Sequence, residues 1–343
     1  MRFALSAFFF GVSALTPATD PAFYYSPYTW YLNATGTSSS ATAVNPGAYF
    51  RCLFSGASAN LTFDTSKMVT PPSQLYWRVD NGPLTPFLIA SIVPVVVPPN
   101  LNHGDVPYHA LEVVVKSVSG KYNRWLSSGP SVRVVFTGLE LEAGANVAAW
   151  LPSDLNVVIF GDSITEGQLT LGQKAGTSDV DDSDATLCWS FQLGRLLGAE
   201  VGVVGFGGTG IVKDGGGNVP GLNASFSLLW EGAPRDFSRP KPDIIVLNEG
   251  TNDGNNNISA ALADVLGGLA AAAPGAPIAV MRPFDGSEDA ALRAAVAACA
   301  PCHYVNTSGF YSKAFGGALH PTGPNDVARI APQVANALRV LLK

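Results

Sequence analysis

From residue 156 onward the chain alternates between two kinds of segment. Short apolar runs at 157–160, 201–204, 243–247, 278–281 and 303–305 read as strands. Residues 184–197, 258–272, 288–298 and 325–342 carry helical patterning between and after them. Antiparallel neighbours can be joined by a tight turn, whereas parallel ones need a crossover long enough to hold a helix. A strand–helix order repeated about five times therefore predicts a parallel sheet covered by helices on both faces. The carboxyl ends of its strands share one edge, where open α/β sheets bind their ligands.

The first half follows another pattern. Residues 48–54, 60–63, 75–79, 91–97, 108–115, 132–136 and 139–141 are strand-like and are separated by Gly, Pro and Asn turns. Asn81-Gly82 is a strong hairpin signal. No helix of ordinary length is expected before about residue 150, which argues a β-sandwich of jelly-roll type. The expected division is residues 20–150 for the sandwich and 151–343 for the α/β domain, and 343 residues suffice for two domains.

Residues 1–19 are set apart from the fold. Arg2, the apolar stretch after it and small residues from Ala14 read as a secretory signal cut between Ala14 and Thr19. That run is well short of the roughly 20 residues that span a membrane. An exported chain suits the five glycosylation sequons at Asn33, Asn60, Asn223, Asn257 and Asn306. In an oxidising compartment Cys299 and Cys302 can close on each other, and a bridge between the remaining Cys52 and Cys188 would tie the halves together. With four cysteines, three pairings stay open. Zinc and redox readings of the CxxC are weaker, because no second cysteine pair accompanies it and there are only four histidines. Charged residues make up 13%, against about 25% in ordinary domains. The net charge is -6 and no Lys/Arg-rich run exists, which argues against nucleic acid as a partner.

Four loops hold the chemistry. Gly161-Asp162-Ser163, Gly205-Phe206-Gly207-Gly208 and Gly250-Thr251-Asn252-Asp253 each follow an expected strand, and Leu319-His320-Pro321 precedes the last helix. Serine needs a base to be nucleophilic at neutral pH, and His320 is the histidine that lies in a loop of this half. His303 opens a strand beside the CxxC and reads as structural. A tetrahedral intermediate needs donors aimed at its oxyanion. The N–H groups of Ser163 and Gly208 and the side-chain amide of Asn252 can serve. Taken alone, Gly-Asp-Ser is equally an ordinary turn. The G-x-S-x-G elbow fails, because Thr165 stands where its second glycine should be. A dinucleotide loop at Gly205–Gly210 is weak, because more Gly-rich loop follows it instead of a helix.

In this order and spacing, the blocks Gly161-Asp162-Ser163-Ile164-Thr165, Gly205-Phe206-Gly207-Gly208, Gly250-Thr251-Asn252-Asp253 and His320-Pro321 resemble the SGNH/GDSL hydrolase superfamily. The resemblance spans residues 155–343 and implies a flavodoxin-like three-layer sandwich with Ser163 as nucleophile and His320 as base. Ser163, Gly208 and Asn252 would bind the oxyanion. Gly207 is the fallback for Gly208, since the second block lacks the commoner Ser before that glycine. The superfamily's Asp, three residues before the His, falls on Gly317, and residues 316–319 hold no carboxylate. A Ser–His dyad is therefore expected, with His320 oriented by a backbone carbonyl or by a carboxylate from elsewhere, Asp285 being the candidate. Asp162 is expected to be structural.

The missing Asp and the preceding sandwich resemble carbohydrate esterase family 2, whose members deacetylate plant polysaccharides such as xylan and glucomannan. Aromatic residues line the cleft there; Trp189 and Trp230 are the candidates here, with core packing as the competing role. The resemblance implies a secreted, monomeric serine O-acetylesterase that acts on an acetylated polysaccharide or oligosaccharide without metal, cofactor or membrane. The alternatives are a lipase or general carboxylester hydrolase of GDSL type, and a non-catalytic carbohydrate-binding protein.

Overall fold

Asn156–Gly161 buries every side chain and pairs on both edges with parallel strands. The structure, a computed structural model, describes residues 14–35, 38–99, 107–311 and 319–342. Across the parallel sheet the strands run Glu200–Gly205, Asn156–Gly161, Ile244–Asn248, Ile278–Met281 and Cys302–Val305. In chain order this is 2-1-3-4-5, the flavodoxin-like doubly wound order. Gly161 is in register with both Gly205 and Asn248, so the three glycine-bearing loops leave the sheet at one level.

Alternate side chains of the strands serve opposite faces. Val157 and Ile159 pack with Trp189 and Leu193 of helix Trp189–Leu197 and with Ile330, Val334 and Leu338 of helix Gly323–Leu341. Val158 and Phe160 pack with Leu262, Leu266 and Leu269 of helix Ser259–Ala272 and with Leu292 of helix Asp289–Ala297. Spacings of three and four residues put these on one helix face. Each such side chain contributes about 1.5–3 kcal/mol on burial. The helix expected over 184–197 is broken in two. Asp184 caps a short 3-10 turn, Ala185–Leu187, and the α-helix starts afresh at Trp189 and ends on the left-handed Gly198.

Two antiparallel sheets make up the first half. One runs Trp30–Thr35, Ser38–Ala43, Val134–Leu141, Ser58–Phe63, Ile92–Val96, with Ala14–Pro17 also paired to Val134–Leu141. The other runs Val147–Ala148, Tyr49–Phe54, His109–Ser117, Gln74–Val79, Thr85–Leu88, with Tyr24–Tyr25 paired to Tyr49–Phe54. Phe50, Phe54, Leu61, Leu111, Phe136 and Leu139 belong to one core. Phe50 and Phe136 stack within it, 4.2 Å between centroids. The hairpin turn falls at Asp80 and Asn81, both left-handed with φ of 51° and 58°.

Two sequence expectations are revised. Residues 132–136 and 139–141 are not separate strands. Val134–Leu141 is continuous, and its break in pattern at Gly138 is a register shift against Ser58–Phe63. A Cβ at Gly138 would lie 2.4 Å from the Thr16 carbonyl, so glycine admits the neighbouring strand. The expected leader also overlaps the fold. Ala14–Pro17 pairs from Leu141 to Gly138, and Ala18 is fully buried with its N–H on the Thr137 carbonyl. The sequons divide as well: Asn223, Asn257 and Asn306 are exposed, while Asn33 and Asn60 are half-buried in strands.

Cys299 and Cys302 form a disulfide. The expected Cys52–Cys188 bridge is not formed; both thiols are free and buried. Cys52 lies in the sandwich core and Cys188 in the core under helix Trp189–Leu197, so each is committed to its own half. Polar contacts join the halves instead. The Tyr49 hydroxyl donates to Glu200 at 2.5 Å, Arg51 donates to Glu200 at 2.9 Å, and the Asn45 amide donates to the Gly205 carbonyl at 2.9 Å. A Cβ at Gly202 would lie 2.0 Å from the Pro27 carbonyl, so the sandwich lies directly against strand Glu200–Gly205.

Candidate active site

Gly161 has no room for a side chain. A Cβ there would meet Thr165 Oγ1 at 2.0 Å and the Asn248 carbonyl at 2.8 Å. The chain then turns sharply. Asp162 Oδ1 accepts from the Ile164 N–H at 2.8 Å and caps a single helical turn, Ser163–Glu166, which ends at the left-handed Gly167. This turn sets Ser163, only 6% exposed, just beyond the strand end. His320 Nε2 lies 2.8 Å from Ser163 Oγ, and the Tyr311 hydroxyl donates to the His320 carbonyl at 3.3 Å. Burial lowers the His320 pKa below its usual 6.5. The imidazole is therefore neutral at pH 7, and a proton on Nδ1 leaves Nε2 free to accept the serine proton.

The orienting partner of His320 is not Asp285 among the described contacts. That carboxylate is exposed and accepts from the Ser287 N–H at 3.0 Å and the Ser287 hydroxyl at 2.7 Å, with no hydrogen bond or ion pair to His320. Gly317, where the superfamily's Asp would stand, lies outside the described residues.

Asn252 bridges the other two loops. Its Nδ2 donates to the Thr209 carbonyl at 2.8 Å and to Asp162 Oδ2 at 3.2 Å. The structure also separates the two glycines. A Cβ on Gly207 would lie 2.8 Å from Glu166 Oε1 and 3.1 Å from Gln168 Oε1, so the Glu166 carboxylate sits against this glycine. Gly208 turns the loop at φ 78°, with no atom nearer than 3.7 Å to a Cβ placed there. Gly207 is thus crowded by side chains, whereas the space beside Gly208 is open. Asp253 is buried and accepts from the Ile211 and Val212 N–H groups at 2.7 and 3.0 Å, anchoring the rest of the glycine-rich loop.

Buried charge underlies these loops. Burial pushes the Asp162 carboxyl up to about 7, opposed by the Ile164 N–H and the Thr251 hydroxyl. Burial also raises Glu166, and Arg124, whose NH1 is 2.7 Å from Glu166 Oε2, pulls it back. Glu249 is pushed well above the carboxylate range by burial and then by Asp162 and Asp253. Sequence reading missed Arg124, Glu166, Thr209 and Glu249. Only Glu249 carried a signal, an acid closing an apolar strand one residue before the Gly-Thr-Asn-Asp block.

Both candidate tryptophans are buried. Trp189 is 1% exposed in the core, donates to the Ile164 carbonyl and packs edge-on against Phe284. Trp230 is 8% exposed, between the Tyr31 ring and the Arg133 guanidinium. Each sits where a large ring fills the interior, which is the packing role that competed with the cleft assignment.

Residues 159–323 match the GDSL-like Lipase/Acylhydrolase family. The cellulase/esterase CelE of Acetivibrio thermocellus is 25% identical over 220 residues, which cover 59% of this chain and 25% of that protein. This chain thus spans about a quarter of the length of that curated relative. In three dimensions it is similar to a family two carbohydrate esterase from Cellvibrio japonicus, with a TM-score of 0.79, 19% identity and coverage of 97% and 98% of the two chains. It is likewise similar to the acetyl xylan esterase Est2A from the rumen bacterium Butyrivibrio proteoclasticus, with a TM-score of 0.72, 16% identity and coverage of 96% and 98%. At these identities the structural likeness bears on the fold, two antiparallel sheets ahead of a parallel α/β sheet.

Proposed function

We propose that this chain, a member of the GDSL/SGNH hydrolase superfamily with the fold of the family 2 carbohydrate esterases, is a serine O-acetylesterase that removes acetyl groups from plant cell-wall polysaccharide, xylan or glucomannan. The observation that carries the reading is the 2.8 Å contact between His320 Nε2 and Ser163 Oγ, with the Gly208 and Asn252 loops arriving at the same sheet edge. The printed names of its relatives, a cellulase/esterase and an acetyl xylan esterase, support the substrate class. In the same reading the β-rich half is a jelly-roll sandwich, and the chain is exported and monomeric.

Ser163 Oγ attacks the acetyl carbonyl while its proton passes to His320 Nε2. The oxyanion is taken by the N–H groups of Ser163 and Gly208 and by Asn252 Nδ2, whose longer bond, 3.2 Å to Asp162, is the one that yields a hydrogen. Collapse breaks the ester C–O bond, and the sugar oxygen leaves with the proton from His320. Water then loses a proton to His320 as it attacks the acetyl-enzyme, and acetate departs as Ser163 regains its proton.

Acetate release from acetylated xylan, glucomannan and pectin, with a long-chain ester as control, tests the substrate. Rapid release from xylan or glucomannan and slow turnover of the long-chain ester are expected; the reverse pattern points to a lipase. The base sets a second expectation. Activity requires neutral His320, so kcat/KM should rise with pH through a midpoint below 6.5, the direction in which burial moves this imidazole. A midpoint at 7 or above in the pH–rate profile argues against His320 as the base.

A further inference from the structure

One buried acid at the site has no part in the steps above. Glu249 follows strand Ile244–Asn248 and is 1% exposed. Its Oε1 lies 3.2 Å from Thr209 Oγ1, and its Oε2 is buried with no hydrogen-bond partner among the described residues. Proton counting bears on its state. The Thr209 hydroxyl has one hydrogen, and the Phe206 carbonyl, 2.6 Å away, can only accept it. Thr209 Oγ1 can share its hydrogen with Glu249 Oε1, but the nearer Phe206 carbonyl is the better acceptor, and with the hydrogen there the contact to Glu249 is a full hydrogen bond when the carboxyl carries the proton.

The surrounding charges point the same way. Asp162 faces Glu249 from the nucleophile loop and Asp253 from its own loop. Glu166, on the turn after Ser163, is engaged by Arg124, which also donates to the Val44 and Gly205 carbonyls. Among the described residues no cation pairs with Glu249, so an ionised Glu249 would be a buried charge among acids, and such groups tend to neutralise instead. Burial and these two aspartates raise its pKa, outweighing the Thr209 hydroxyl and the Gly250 N–H, which pull it down.

We propose that Glu249 is held as an uncharged carboxylic acid and is a positioning residue for the oxyanion donor Asn252. Its O–H donates to Thr209 Oγ1, and Thr209, tied through its hydroxyl to Phe206, presents its carbonyl to the Asn252 amide at 2.8 Å. Ionisation would remove that donor and place a negative charge beneath the atom where negative charge develops in the reaction. The catalytic consequence rests on the esterase reading; the protonation state does not.

Two variants separate the ideas. Infrared difference spectra of the intact protein near neutral pH should show a protonated-carboxyl C=O stretch that Glu249→Gln removes, and the same measurement in a Ser163→Ala background needs no turnover. The kcat of the wild-type protein should fall at alkaline pH, while Glu249→Gln, always neutral, carries its kcat to higher pH with KM unchanged. Glu249→Leu lacks the donor and should lose about tenfold in kcat at unchanged KM. A thermal unfolding curve shows whether that variant is folded. The inference is overturned if Glu249→Gln leaves the infrared band in place, or if both proteins share one alkaline limb. Loss of the band in Glu249→Gln without ester hydrolysis by the wild type would leave protonated Glu249 standing and sink the esterase reading alone.

Discussion

Ser163→Ala is expected to lower kcat for ester hydrolysis by about 10^4-fold or more while leaving the unfolding midpoint nearly unchanged. The two effects separate because the hydroxyl serves chemistry and the backbone is held by other groups. The helical turn is capped by Asp162 through the Ile164 N–H, and the turn closes on Gly167, so neither anchor involves Ser163 Oγ. The described partner of that oxygen is His320 Nε2. Substrate binding survives, so KM should change little, and the backbone and Asn252 donors leave a residual rate above water. His320→Asn should cost a similar factor, and the double variant little more than either single one, because the pair acts as one proton-transfer unit. Steady-state kinetics on an acetyl ester, with circular dichroism melts of each variant, measure both parts. Near-wild-type turnover by Ser163→Ala would remove the mechanism at its first step.

The parts of this site that could be read from sequence are those fixed within a few residues. Gly161, Asp162 and Ser163 form one strand-to-turn unit, and Asn252 and Asp253 another, so residue order alone carries their geometry. Their meeting followed from the parallel sheet, whose register brings Gly161 level with Gly205 and Asn248. What stayed hidden depends on contacts between segments far apart in the chain. Trp189 and Trp230 have sequences compatible with either a cleft or a core, and only their neighbours Phe284, Tyr31 and Arg133 decide for the core. Cys52 and Cys188 could be paired on paper because nothing local places them in different cores. Gly138 looked like a turn because a glycine that admits a neighbouring strand and a glycine that ends a strand are identical in sequence. Arg124 had no local signal, since its partner Glu166 lies 42 positions away in the other half.

Arg124 is also where the second large effect is expected. Arg124→Met should destabilise the protein by about 3–5 kcal/mol, because it leaves a buried carboxylate without its cation. Arg124 is 1% exposed, its guanidinium lies 4.8 Å from the Phe206 ring centroid, and it donates to Glu166 at 2.7 Å, to the Val44 carbonyl at 3.0 Å and to the Gly205 carbonyl at 3.1 Å. Burial already raises the Glu166 pKa, and losing Arg124 raises it further. A carboxyl whose folded pKa lies above its unfolded value favours the fold below the unfolded pKa and loses that contribution as pH rises through the folded one. The deficit of Arg124→Met should therefore be larger near pH 8 than near pH 5. Adding Glu166→Gln removes the stranded charge, so the double variant should regain much of the stability and flatten the pH dependence. Urea titrations at both pH values measure these differences. A single variant within about 1 kcal/mol of wild type, or a double variant no better than the single, would show that the pair is not coupled in this way. Activity should fall with stability at this position, because the Glu166 carboxylate packs against Gly207, next to the turn at Gly208. The β-rich half thus supplies the cation that pairs with a buried acid beneath the oxyanion loop. Cutting the chain near residue 150 should expose Glu166 to the same loss as Arg124→Met, so the α/β half alone is not expected to keep the site in order.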